Sequence, residues 1–288
     1  MLGLEPELQL SEEEFRLIRD LIYNHCGLYF DQDSKYLLDK RLVSRLALHN
    51  LAGFREYYQF LKYDRKKEEE LSDIMDILTT NETYFFRESF QLKAFTDEIL
   101  PELKTLKERE RTLRIWSAGC STGEEPYTIA MLILEKNLFP GWRIEIVGSD
   151  ISQRVVQHAR KGVYGKSSFR CTEERYVKRF FTQVEEGFRI NDEVRELVSI
   201  SHMNLFDANR LALLGKMDLV FCRNVIIYFD MASKKRVIDA FYATLREGGF
   251  LLLGHSESLM NLSTAFALRH LKNDMVYQKP AASFGRAL

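Results

Sequence analysis

From Asn81 onward the hydrophobic pattern alternates between two periods, and this alternation restricts the fold more than any other feature. The strand-like runs LRIWSAG, RIEIVGSD and DLVFCRNV are followed by the helical segments PYTIAMLILEKN, SQRVVQHARKG and SKKRVIDAFYATLRE, and FLLLGHS closes the series. Near-continuous apolar strands separated by helices predict a parallel sheet covered on both faces. Between residues 179 and 203 the alternation breaks. There FFTQVEEGFRI reads as two short strands about a Glu-Glu-Gly turn, a small antiparallel insertion. ALRHL and MVYQK supply last strands at the sheet edge, so residues 79–288 are expected to form one α/β domain. Residues 1–78 carry only helical patterning. Ser11 and Glu14 have capping-box spacing, and Phe15, Ile18, Leu21 and Ile22 follow at helical intervals until Cys26-Gly27. Further helical stretches run from about Ser34 to Leu48, from Phe54, and through Leu71, Ile74, Met75, Ile77 and Leu78. The charge run Asp64–Glu70 has no apolar member and is expected to be solvated.

Charge and cysteine usage narrow the function. The 288 residues carry Lys+Arg 41 against Asp+Glu 42, a net charge of −1, which disfavours a nucleic-acid partner. Cys26, Cys120, Cys171 and Cys222 are widely spaced, without a Cys-x-x-Cys pair or clustered histidines, so neither a metal site nor a disulfide framework is expected. The acidic first residues lack the features of a secretory signal, and no apolar run approaches the ~20 residues needed to span a bilayer. A soluble intracellular protein without membrane insertion is the expectation.

In an open α/β sheet, ligands gather beyond the carboxyl ends of the strands. The first strand runs into Ser117-Ala-Gly-Cys-Ser-Thr-Gly-Glu-Glu-Pro126, where Gly119 and Gly123 permit a tight turn. The spacing is not the G-x-G-x-x-G of a pyrophosphate cradle, and Glu124 and Glu125 at the mouth of the next helix disfavour phosphate. A cationic ligand suits them better. Asp150, ending the second strand, is placed to accept both hydroxyls of a ribose. An adenosine with a cationic tail and no phosphate describes S-adenosylmethionine. Each acid alone reads equally well as a cap or turn acid; the three together point to a site. Asn204–Asp207 and Arg223–Asp230 follow two further strands, and Arg223 there either lines the site or pairs with an acid such as Asp207 or Asp230.

The segments NETYFFR (81–87), SAGCSTGEEPY (117–127), SDI (149–151), CRNVIIYFD (222–230) and GHSE (254–257) resemble, in order, those of the chemotaxis receptor methyltransferases, the CheR family, from about Phe15 to Tyr277. The resemblance implies a Rossmann-like S-adenosylmethionine-dependent methyltransferase sheet with an inserted antiparallel β-subdomain, behind a small all-helical domain that docks substrate. It implies methyl transfer to glutamate side chains on the cytoplasmic helical bundle of chemoreceptors, with S-adenosylhomocysteine as product, by a monomer in the cytoplasm. Carried over position by position, the cofactor contacts fall on Asn81, Thr83, Arg87, Glu125, Asp150, Asn204, Leu205, Arg223 and Asn224. Arg87 and Tyr228 lie nearest the transferred methyl, while Phe85 and Phe86 are expected in the core.

The chemistry agrees with these residue types. A glutamate with a pKa of about 4.3 is already ionised at neutral pH and needs no general base. Arg87 or Arg223 can hold a carboxylate and Tyr228 can steer one oxygen. His255 is expected to be a satisfied structural histidine. No proline precedes a cysteine, against cytosine C5 methylation, and Arg223-Asn224-Val225 stands where an amino-adenine methyltransferase carries its proline loop. Between Lys35 and His49, Arg41 and Arg45 fall inside the apolar stripe; they either pair with acids of a neighbouring helix or dock on an acidic receptor bundle, as the resemblance suggests. The short VEEG turn favours recognition without a receptor tether. A methyltransferase of similar build acting on another protein, or a non-catalytic cofactor-binding scaffold, are the alternatives.

Overall fold

The computed structural model describes residues 9–281. Its first domain opens with the expected capping box. The Ser11 hydroxyl accepts the Glu14 N–H, and the Glu14 carboxylate accepts the Ser11 N–H at 2.9 Å, starting α1 (Glu12–Cys26). Gly27 ends α1 in the left-handed region at φ +79°, where a Cβ would sit 2.1 Å from the Phe206 ring. Three further helices follow, α2 (Lys35–Leu48), α3 (Phe54–Tyr63) and α4 (Lys67–Leu78). Phe15, Ile18, Ile22, Leu38, Leu42, Tyr57, Ile74 and Met75 form their shared core.

The 64–70 charge run is only partly solvated, contrary to expectation. α4 begins within it, and Glu70 lies one turn before Ile74 on the inward stripe, only 2% exposed. Its carboxylate accepts from Arg45 Nε at 2.8 Å, contacts His49 Nε2 at 2.6 Å, and accepts the Tyr57 hydroxyl. Burial works to raise this carboxyl, but the hydrogen bonds from Arg45, Tyr57 and His49 overcome it and hold the group below its ordinary value. Glu70→Ala is therefore expected to destabilise the helical domain by about 3 kcal/mol, because a buried guanidinium loses its main partner. Because the folded carboxyl is depressed, this stability is present above the ordinary glutamate range and is lost as pH falls through the folded value. Urea unfolding at pH 7 and pH 4 checks both; a loss that is small at pH 7, or larger at pH 4, contradicts this reading.

The second domain holds a seven-stranded sheet. Its strands are β1 (Thr112–Ala118), β2 (Arg143–Asp150), β6 (Val198–His202), β7 (Met217–Cys222), β8 (Leu245–Leu253), β9 (Ala267–His270) and β10 (Met275–Gln278). The order is β6-β2-β1-β7-β8-β10-β9, parallel except where β10 pairs antiparallel with β8 and β9. Successive strand residues feed opposite faces. Ile115, Leu219 and Phe221 join Ile129, Ile133 and Phe95 in one core, while Trp116, Val220 and Cys222 join Val237, Ile238 and Phe241 in the other.

The antiparallel insertion is a separate three-stranded sheet, β3 (Val163–Tyr164), β5 (Gly187–Ile190) and β4 (Phe181–Val184), in that spatial order. The structure shifts its expected 179–203 span: it reaches back to Val163, while Val198–His202 is a parallel edge strand beside β2. Period-two patterning identifies a short strand but not the sheet it joins. Phe85, fully buried, has its ring 4.8 Å from Tyr164 and 5.2 Å from both Phe169 and Phe181, tying the interdomain segment to the insertion. Phe86 contacts Tyr176 at 4.2 Å, so both phenylalanines take packing roles as expected.

The helical domain sits across the carboxyl ends of the strands. Leu28 bridges Phe229, the Tyr29 N–H donates to the Tyr228 carbonyl at 3.1 Å, and the Tyr23 hydroxyl donates to Asp230 at 3.1 Å. Asn204 Nδ2 donates to the His25 carbonyl at 2.6 Å.

Candidate active site

The pocket lies where the strand order reverses, at the tips of β1, β2 and β7, with Leu28, Tyr29 and Phe30 of the helical domain along one wall. Asp150 ends β2 with both oxygens engaged: Oδ2 accepts the Ser121 N–H at 2.8 Å and Oδ1 the Ser152 N–H at 3.0 Å. Burial pushes its carboxyl up, with those N–H bonds opposing. Ser121 reaches this position in the left-handed region at φ +49°. Glu125, in the first turn of the helix Glu124–Lys136, accepts the Ser117 hydroxyl at 2.7 Å and pairs with Arg223 Nη1 at 3.1 Å. Burial raises its carboxyl too, and the Arg223 guanidinium opposes the rise.

Arg223 follows β7 with its side chain only 3% exposed. It pairs with Glu88 at 3.0 Å and donates to the Arg87 carbonyl at 2.5 Å, besides reaching Glu125. Asn224 is left-handed at φ +58°, and its buried Oδ1 has no hydrogen-bond partner. Glu257 fixes this turn by accepting the N–H groups of Asn224, Val225 and Gly254 at 2.8, 2.9 and 2.7 Å. Burial raises the Glu257 carboxyl against those bonds.

All of Asn81, Thr83, Arg87, Glu125, Asp150, Asn204, Leu205, Arg223, Asn224 and Tyr228 line this one pocket. The Asn81 carbonyl accepts the Ser121 hydroxyl at 3.3 Å, and Arg87 donates Nη1 to the Glu82 carbonyl at 3.1 Å. Tyr228, in the short turn Ile226–Tyr228, stands at the lip, 38% exposed.

Several expectations need correction. Glu124 faces away from the pocket and accepts from Thr122 and Ser168 at 2.6 and 2.9 Å, because neighbouring helix residues point about 100° apart. Arg223 pairs with Glu88 and Glu125, not with Asp207 or Asp230, which cap the helices Ala208–Leu213 and Met231–Thr244. His255, expected to be a satisfied structural histidine, lies outside the pocket lining with its side chain 51% exposed and 3.6 Å from Asp274. Arg45 takes the structural alternative, paired with Glu70 and with Asp73 at 2.7 Å, and Arg41 donates to the Leu78 carbonyl at 2.8 Å. Both lie outside the pocket wall. Glu88 and the helical-domain wall went unforeseen, and no sequence signal marks them; Glu257 stands in the GHSE segment without its role being apparent there.

The donor set fits an adenosine with a cationic tail. The carboxylates of Asp150 and Glu125 line the pocket, and its most buried cation is neutralised by two acids, which leaves phosphate poorly served. Among the described residues no cluster of three His, Cys, Asp or Glu is arranged to hold a metal, and no helix is long and apolar enough to cross a membrane.

Comparison with known proteins agrees with this construction. The family model for the CheR methyltransferase all-alpha domain matches residues 13–79, and that for the CheR methyltransferase SAM binding domain matches residues 81–275. Chemotaxis protein methyltransferase 2 of Vibrio cholerae is 35% identical over 278 residues, covering 95% of each chain. Chemotaxis protein methyltransferase 2 of Pseudomonas aeruginosa is 36% identical, covering 89% of this chain and 90% of its own. The Escherichia coli chemotaxis protein methyltransferase is 33% identical, covering 93% and 92%. The chain thus belongs to the CheR family of S-adenosylmethionine-dependent methyltransferases.

Proposed function

We propose that this chain transfers a methyl group from S-adenosylmethionine to glutamate side-chain carboxylates of methyl-accepting chemotaxis receptors, forming methyl esters, and that it works as a monomer in the cytoplasm. The observation that carries the choice of a carboxylate is the composition of the pocket. Arg87 and Tyr228 stand at its lip, and no histidine is among its lining residues. When bound, the cofactor supplies an electrophilic methyl on a sulfonium. Asp150 and Glu125 would hold its polar groups, and Asn81, Thr83, Asn204, Leu205 and Asn224 complete the walls. Arg87 spends one nitrogen on the Glu82 carbonyl, leaving others for a substrate carboxylate, and Tyr228 orients the attacking oxygen. The substrate is already ionised, so the protein aligns and desolvates it.

Docking on the receptor bundle is proposed through α2. Arg41 remains a candidate contact, whereas the Arg45 charge is neutralised within the domain and braces the helix face. Arg41→Glu is expected to slow receptor methylation about tenfold with cofactor affinity unchanged, since a rim charge acts mainly on encounter. Equal loss of both contradicts docking at Arg41.

Incubation with methyl-labelled cofactor and candidate receptors, followed by alkali, tests the reaction. Volatile labelled methanol is expected from a methyl ester. Alkali-stable label marks nitrogen or carbon methylation instead, and cofactor binding without label on any receptor marks a scaffold.

A further inference from the structure

Two carboxylates share one buried guanidinium beside the pocket. Arg223 meets Glu125 Oε2 through Nη1 at 3.1 Å, and Glu88 Oε2 through Nη2 at 3.0 Å and Nε at 3.2 Å. Glu88 lies outside the pocket lining, yet its side chain is only 13% exposed. Its backbone is left-handed at φ +57°, a conformation uncommon for a glutamate, so its surroundings must hold it there. The three side chains carry a net charge of about −1, from two carboxylates and one guanidinium. With Glu88 neutral, Arg223 would cancel Glu125, and this corner of the pocket would carry no net charge.

We propose that Glu88 is a positioning residue that sets selectivity between methyl donor and product: by occupying Arg223 it leaves Glu125 with uncancelled negative charge facing the pocket. The proposal rests on the reading that the cofactor binds here. S-adenosylmethionine and S-adenosylhomocysteine differ by one methyl and by the positive charge on sulfur. The charge of the Glu88–Arg223–Glu125 group therefore discriminates between them, and Glu88, outside the lining, contributes to it without touching either. The field that favours entry of the cationic donor has little hold on the product, whose sulfur is neutral.

Calorimetric titration of the full chain at pH 8 with each compound tests this, using Glu88→Gln, which keeps size and removes charge, and Glu88→Asp, which keeps charge. In Glu88→Gln the donor is expected to bind about tenfold more weakly and the product no more than about twofold, shifting their ratio at least about fivefold toward product. Glu88→Asp is expected to retain the wild-type ratio, and turnover by Glu88→Gln to show KM for the donor rising more than kcat falls. Equal weakening of both compounds, or an unchanged ratio, makes Glu88 a brace only and overturns the proposal. If Glu88→Gln does not fold, Glu88→Ala removes the same charge and must shift the ratio in the same direction. A wild-type chain that binds neither compound overturns the cofactor-site reading itself, whereas normal binding with an unmoved ratio overturns only the role of Glu88.

Discussion

Replacing Arg223 with methionine is expected to cost about 3–5 kcal/mol of stability, because removing one partner of a buried ion pair leaves its counterpart charged and dry. Here two counterparts are left. Glu88 and Glu125 have side chains 13% and 15% exposed, and both depend on this guanidinium. The Arg87 carbonyl also loses its donor, which frees the segment that presents Arg87 to the pocket. The loss should depend on pH with a definite sign. Stripped of Arg223, which opposes the rise that burial imposes on Glu125, that carboxyl binds its proton more tightly folded than unfolded, so the stability of the variant declines as pH rises past the ordinary glutamate range. Urea unfolding at pH 5 and pH 8 is expected to show a larger deficit at pH 8. Methyl transfer should fall at least 100-fold even where the variant is folded. A stability change below about 1 kcal/mol would make the three-residue arrangement incidental.

The second large effect is expected at Asp150. Asp150→Asn should weaken cofactor binding about 100-fold, close to 2.7 kcal/mol, through loss of a charged acceptor in a desolvated pocket. Stability of the free protein should change by no more than about 1 kcal/mol. The reason is the direction of its shift: burial raises this carboxyl, so the charged form is disfavoured in the empty fold and its contribution declines as pH rises through the folded value. Asparagine removes that penalty, while one of the two N–H bonds from Ser121 and Ser152 is compromised. Binding should follow the opposite course. The ribose hydroxyls donate to the ionised carboxylate, so affinity falls on acidification earlier than for an ordinary aspartate. Calorimetry and thermal unfolding separate the two quantities; parallel loss of both would reduce Asp150 to a structural hub for the strand-tip loops.

Much of the fold is legible in the amino-acid pattern. The strand-helix alternation gives the sheet because apolar runs such as Met217–Cys222 are buried along their whole length. Strand tips are fixed by topology, which brings Asp150, Glu125 and Arg223 to one pocket, whereas Asn81, Thr83, Arg87, Asn204 and Leu205 are expected there from the family resemblance. What sequence left hidden was side-chain direction. Adjacent Glu124 and Glu125 look alike in a string, yet one caps the insertion side and the other faces the pocket. Glu70 sat inside a run of charges, and only the fold of α2 against α4 reveals that its position is internal. Glu88 was invisible for the same reason: its partner lies 135 positions away in sequence.

In the proposed reaction a carboxylate attacks without help from a base. Single-turnover methyl transfer, measured from pH 6.5 to pH 9 with cofactor and receptor saturating, tests this most directly. A rate that stays level across the range is the predicted result, because a substrate glutamate with a pKa of about 4.3 is ionised throughout. A rate climbing about tenfold per pH unit through neutrality would reveal a proton removed by the protein and contradict the account.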